Sequence, residues 1–218
     1  MKNFEFSKSN ICLFFIHGFC SGPEDWDEQT KFFNNIFTVI TPVLRGHDGE
    51  NLSDLPMSIE QLTNDCEKIL KKQKEKKFIF VGHSMGTRIA INLASKFEKK
   101  TYGLVLVDGS KFADLESFGS VLNHFEKLIS NQGYNLLLKN MFKSMFFDKK
   151  FENDKKRIIK RAIEIPSKYS LPLRRNVIWF DAHYLKSALN KINTPILMLQ
   201  STKLDEKRNR STIKNDEK

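Results

Sequence analysis

Short, mostly apolar runs recur along this chain at 11–16, 37–44, 78–81, 104–107 and 196–199, rich in branched and aromatic residues and free of strict polar alternation. A strand with one wet face alternates; a strand covered on both faces does not. Four of the runs stop at a glycine or one residue short of it, at Gly18, Gly46, Gly82 and Gly109. Between them lie stretches with helical spacing. Residues 23–35 open on a proline suited to a first turn, and 58–72 open with Ser58-Ile-Glu-Gln61, a capping box. Residues 87–97 set Ile89, Ala90, Leu93, Ala94 and Phe97 on one face. Strand and helix in alternation predict an α/β fold, a mostly parallel sheet with right-handed crossovers and helices on both faces.

The rhythm breaks after Asp108. Residues 109–194 hold helical patterns at 115–130, 134–147 and 180–192 before the fifth run begins. An insertion of that size between two strands is too large for a simple crossover, so a helical cap over residues 110–192 is expected. Residues 206–218 are charged and are expected to form a disordered tail.

With 218 residues, 40% hydrophobic and 28% charged, the chain is long enough for a single domain with a sizeable core. Its net charge of +10 raises the question of nucleic acid, but the basic residues are interleaved with acids, as at 71–77 and 154–157. Such runs describe a solvated surface, and no specific nucleic-acid partner is expected. Three cysteines without metal-ligand spacing point to a reducing compartment and no bound metal. No apolar run approaches the roughly 18 residues that a membrane span needs, and the N-terminus lacks a leader pattern. A cytoplasmic protein without a membrane span is expected.

Residues 78–91, FIFVGHSMGTRIAI, pass from strand to helix through Ser84, with Gly82 and Gly86 two positions away on either side. A sharp strand-to-helix corner strains the residue at its tip and leaves no room for side chains at the flanking positions. The corner lifts the Ser84 hydroxyl clear of the carboxyl end of the sheet, where open α/β folds bind ligands.

These residues resemble the α/β-hydrolase superfamily over nearly the whole chain. Gly82-His-Ser-Met-Gly86 is similar to its nucleophile elbow, Phe15-Ile-His17-Gly18-Phe19 to its oxyanion-loop segment, and Leu44-Arg-Gly-His47 to a further family segment with Asp48 in place of the usual glycine. The resemblance implies that Ser84 is the nucleophile and that the backbone N–H groups of Phe19 and Met85 form the oxyanion hole, with Gly18, Gly82 and Gly86 supporting the two loops. It implies no cofactor and a small ester or acyl substrate. Apolar stretches at 141–147 and 177–180 suit either a greasy acyl pocket or helix packing. His17 and His83 are expected to be structural.

The resemblance also calls for an acid and a base. The acid falls at Asp205, one residue later than the family spacing, or at Asp108 after the fourth strand. The family's histidine follows a last strand and precedes a last helix, and no histidine follows Asp205. The catalytic base is therefore not found, and the chain is expected to lack that strand and helix. His47, His124 and His183 remain as substitutes, and Cys20 has no evident activating partner. Two readings follow: a serine hydrolase of esterase type impaired by a missing base, or a non-catalytic, hydrolase-like binding protein.

Overall fold

A computed structural model of the chain describes residues 10–48, 56–73, 77–109 and 115–201. Its centre is a five-stranded parallel sheet in the order β2-β1-β3-β4-β5. The strands are β1 (Ile11–Ile16), β2 (Thr38–Ile40), β3 (Lys77–His83), β4 (Thr101–Val107) and β5 (Ile196–Leu199). The chain moves outward from β1 to β2, then returns to place β3 on the other side of β1. That reversal opens a crevice at the carboxyl ends of β1 and β3, where ligands of open α/β sheets bind.

Side-chain alternation in the strands feeds two separate apolar layers. Cys12, Phe14, Ile16, Phe78, Phe80, Leu104 and Leu106 face the larger one, together with α2 (Ile59–Leu70) and α3 (Gly86–Lys96). Leu13, Phe15 and Val81 face the smaller one, closed by Trp26 and by Phe33 of α1 (Asp27–Phe33). The helix starts follow local chemistry. Ser58 Oγ accepts the Gln61 N–H at 3.1 Å, capping α2 as its sequence predicts. Trp26 closes a short 3₁₀ turn begun by Pro23.

Between β4 and β5 lie five helices: α4 (Leu115–Gln132), α5 (Tyr134–Lys143), α6 (Glu152–Glu164), α7 (Ser167–Phe180) and α8 (Lys186–Leu189). They pack on the main core through Leu138, Phe142, Ala162, Ile165, Leu173, Val177, Phe180 and Leu185. The patterns expected at 134–147 and 180–192 are shorter in the structure. α5 ends at Lys143, and a π-helical turn, Asp181–Leu185, joins α7 to α8. α7 also serves α2, because Asn176 Oδ1 accepts the Ile59 N–H at 2.8 Å.

β5 departs from the expectation that every strand is covered on both faces. Ile196, Leu197 and Leu199 are exposed. β5 is the outer strand of the described sheet and pairs only with β4 there, so its apolar side chains lack the flanking layers that bury β1 and β3. Asp205 and residues 206–218 lie outside the described residues, as do residues 110–114 at the start of the expected insertion.

Candidate active site

Ser84 sits between the end of β3 and the start of α3 with φ at +50°, in the left-handed region that side chains other than glycine rarely adopt. The surroundings over-determine this conformation. Its N–H donates to the Val107 carbonyl at 2.8 Å, and its own carbonyl accepts from the Thr87 N–H, Thr87 Oγ1 and Arg88 Nη1. The backbone is thus pinned on both sides while the half-buried hydroxyl makes no hydrogen bond to a described residue.

The two flanking glycines are required by contact, not by φ. A Cβ on Gly82 would stand 2.4 Å from the Gly86 carbonyl oxygen, and one on Gly86 would stand 2.4 Å from that of Ile16. Both distances lie far inside van der Waals contact, so strand and helix could not approach with any side chain there. A Cβ on Gly18 would lie 3.4 Å from the Ser84 Cβ. The loop after β1 therefore runs directly beside the serine.

That loop carries Phe19, and the helix start carries Met85; both are buried, and neither backbone N–H meets an acceptor among the described residues. The Met85 N–H lies in the first turn of α3, where the helix dipole favours negative charge.

His17 and His47 hold the neighbouring loops. His17 Nε2 accepts the Leu44 N–H at 3.1 Å, and its Nδ1 lies 2.9 Å from the Gly18 carbonyl. His47 Nε2 accepts the Cys20 N–H at 3.1 Å, and its Nδ1 lies 2.9 Å from the Arg45 carbonyl. A nitrogen that accepts from N–H is unprotonated, and one that faces a carbonyl must carry the proton, so these partners assign both rings as neutral Nδ1–H tautomers. Burial, reinforced by the other ring 5.0 Å away, pushes His17 down to about 3. Burial also lowers His47. With both nitrogens occupied, neither ring can take a proton from Ser84 without releasing a loop.

His83 packs edge-on to Trp26 and is lowered by burial, against the opposing pull of Asp108 and Asp25. His124 and His183 are exposed on the inserted helices, and His183 stacks on Trp179 with its Nδ1 against the Trp179 carbonyl. Cys20 is fully buried, and burial pushes its thiol up to about 12, so it stays protonated and unreactive.

Asp108 follows β4 directly, also with positive φ, at +47°. Its N–H donates to the Leu199 carbonyl at 2.8 Å, and its carboxylate meets the Gln200 side-chain amide. Since Ser84 N–H is held by Val107, the residue before it, this carboxylate lies one strand end away from the serine. Asp205, the other candidate acid, lies outside the described residues.

Sequence reasoning missed Arg88. Its Nε and Nη2 make a two-pronged ion pair with Asp181 at 2.8 and 2.7 Å, while Nη1 bonds the carbonyls of Ser84 and Gly109. One guanidinium thus ties the elbow to the helical insertion. A lone arginine among the apolar positions of α3 was the available signal, but nothing in the sequence pointed to its partner 93 residues away.

A surface depression of about 490 Å³ is lined by Gln132, Gly133, Tyr134, Asn135, Leu136 and Ser167. It includes neither Ser84 nor the loop beside it and is not the crevice described above.

A serine held at the strained tip of a strand-to-helix turn, in an open parallel sheet with a helical insertion, defines the fold class. The chain belongs to the α/β-hydrolase family: the family model described as "alpha/beta hydrolase fold" matches residues 12–193. Human protein ABHD8 is 28% identical over 121 residues, which cover 54% of this chain and 28% of ABHD8. The pimeloyl-(acyl-carrier protein) methyl ester esterase of Wigglesworthia glossinidia brevipalpis is 27% identical over 150 residues, covering 66% of this chain and 56% of that protein. The chain therefore spans just over a quarter of one relative's length and just over half of the other's. The solved structure of MenH from S. aureus superposes with a TM-score of 0.70 at 22% identity, covering 88% of this chain and 75% of that one. No described helix is long and apolar enough to cross a membrane.

Proposed function

We propose that this chain carries out esterase-type acyl transfer on a small ester or acyl substrate, with Ser84 as the nucleophile. The observation that supports this most directly is the pairing of a left-handed Ser84, its hydroxyl uncommitted, with two buried N–H groups on the loops that flank it. The Ser84 oxygen attacks the substrate carbonyl and the C=O electron pair moves onto the carbonyl oxygen. The N–H groups of Phe19 and Met85 receive that charge. Collapse of the intermediate expels the alcohol and leaves acyl-Ser84, which water then hydrolyses. Asp108 or Asp205 serves as the acid that orients a base, and the helical insertion caps the crevice. An ester-cleaving relative, the Wigglesworthia methyl ester esterase, supports the same class of substrate.

A second reading rests on the histidines: His17 and His47 are committed to loop carbonyls and N–H groups, which favours a hydrolase-like protein that binds without turnover. A fluorophosphonate probe separates the two. Covalent labelling that disappears in Ser84→Ala supports the nucleophile. An unlabelled but folded wild-type chain rejects it and leaves the binding reading.

A further inference from the structure

Arg174, on α7, has its Nε sealed from water, and no described residue accepts from it. The residue as a whole is half-buried, so part of the side chain is still reachable. An aromatic ring, Phe125, lies 6.0 Å from the guanidinium carbon. The anion that could neutralise Arg174, Asp181, is already held by both prongs of Arg88. Burial lowers the guanidinium from the ordinary arginine range, Asp181 pulls it back, and Arg88 pushes it the same way as burial.

Tyr134, at the start of α5, is a second orphan in the same place. Its hydroxyl is shut off from water and meets no partner in hydrogen-bonding geometry. Ser170 is close enough to influence the phenol, but the Ser170 hydroxyl is directed at the Pro166 carbonyl. Tyr134 and Arg174 feel each other's charge, and both feel Cys20, two residues past the glycine that borders Ser84.

Two buried donors, one of them cationic, thus converge beside the Ser84 loop with no acceptor supplied by the described protein. Buried donors left unpaired are costly, and a buried cation without a counter-ion costs more. A carboxylate is acceptor-only, carries the compensating charge, and matches the guanidinium fork. We propose that Arg174 and Tyr134 form a carboxylate subsite, and that the substrate is an ester bearing a separate, ionised carboxylate. This deepens the reading of Ser84 as an acyl-transfer nucleophile and rests on it.

The test is equilibrium binding of monomethyl succinate, which carries one carboxylate, against dimethyl succinate, which carries none. Both are titrated by calorimetry into the full Ser84→Ala chain so that turnover does not interfere. The half-ester is expected to bind about tenfold or more tightly than the diester, the range of a charge-assisted hydrogen bond. Added Arg174→Gln should abolish that preference, and Tyr134→Phe should reduce it severalfold. Equal binding of the two esters, or a preference that survives Arg174→Gln, overturns the subsite. Thermal melting without ligand gives a second readout. Arg174→Gln should melt no lower than its parent, because the charge removed had no partner, and a clear drop would mark Arg174 as structural and sink the proposal. Failure of the serine reading shows separately, as loss of fluorophosphonate labelling in the wild-type chain.

Discussion

Arg88 and Asp181 lock two parts of the chain together: the guanidinium of the elbow helix grips the carboxylate at the end of α7 through two hydrogen bonds of 2.8 and 2.7 Å. Their side chains are 6% and 11% exposed, so this is an ion pair largely removed from water. Removing one member strands the other, whereas removing both leaves only packing to repair. Arg88→Met or Asp181→Asn should each cost about 3 kcal/mol, and Arg88→Met with Asp181→Leu should cost clearly less than the two combined. Urea unfolding of the three variants measures this. Strict additivity would show that the two residues act independently.

The elbow glycines give a sharper steric test. Even a methyl group at Gly82 or Gly86 meets backbone oxygen at 2.4 Å, which neither strand nor helix can relieve by rotating a side chain. Gly82→Ala and Gly86→Ala should each lower stability by about 2 kcal/mol or more. Gly119 is the control. It lies inside α4 with nothing within 4 Å of an added Cβ, so Gly119→Ala should stabilise by about 0.5–1 kcal/mol. Thermal melts that shift all three variants in one direction would contradict the close approach of β3 and α3.

Acid should unlock the paired histidines. Unfolded histidine titrates near its ordinary value of 6.5, while burial holds His17 at about 3 and also lowers His47. The unfolded chain therefore binds protons first as pH falls. Stability contributed by the neutral rings is full above pH 6.5 and is lost progressively below it, at about 1.4 kcal/mol per pH unit for each ring still neutral when folded. Urea midpoints at pH 7, 6 and 5 should fall accordingly, and the slope should flatten in His17→Gln. An unchanged slope in that variant would show that His17 is not the group being titrated.

Turnover is the last prediction. With the oxyanion donors present and no histidine free to deprotonate Ser84, hydrolysis should run roughly 10⁴ to 10⁶ below an intact constellation. p-Nitrophenyl acetate should therefore be cleaved barely above background by this chain and by Ser84→Ala alike. Robust multiple turnover that Ser84→Ala abolishes would contradict this and make His47, His124 and His183 the next residues to substitute.

Local signals carried much of this architecture. Unalternating runs at 11–16, 78–81 and 104–107 are strands because they are covered on both faces, and the Ser58 box starts a helix because its hydroxyl can reach Gln61. The glycine spacing around Ser84 is legible for the same reason: a backbone crossing within van der Waals distance forbids side chains at fixed positions, whatever the rest of the chain does.

What the sequence by itself determined, then, was the alternating parallel sheet, the strained corner at Ser84 and the loop that must run beside it. These depend on interactions between residues a few positions apart, or on the covering that a strand demands. Only the tertiary structure decided which polar groups meet. It closed the Arg88–Asp181 pair, neutralised and occupied His17 and His47, and left Arg174 and Tyr134 with donors and no acceptor. It also left the apolar side chains of β5 exposed on the outer strand of the described sheet. The reason is physical: hydrogen bonding and burial are set by neighbours in space, and residues 27 to 93 positions apart are made neighbours only by the fold.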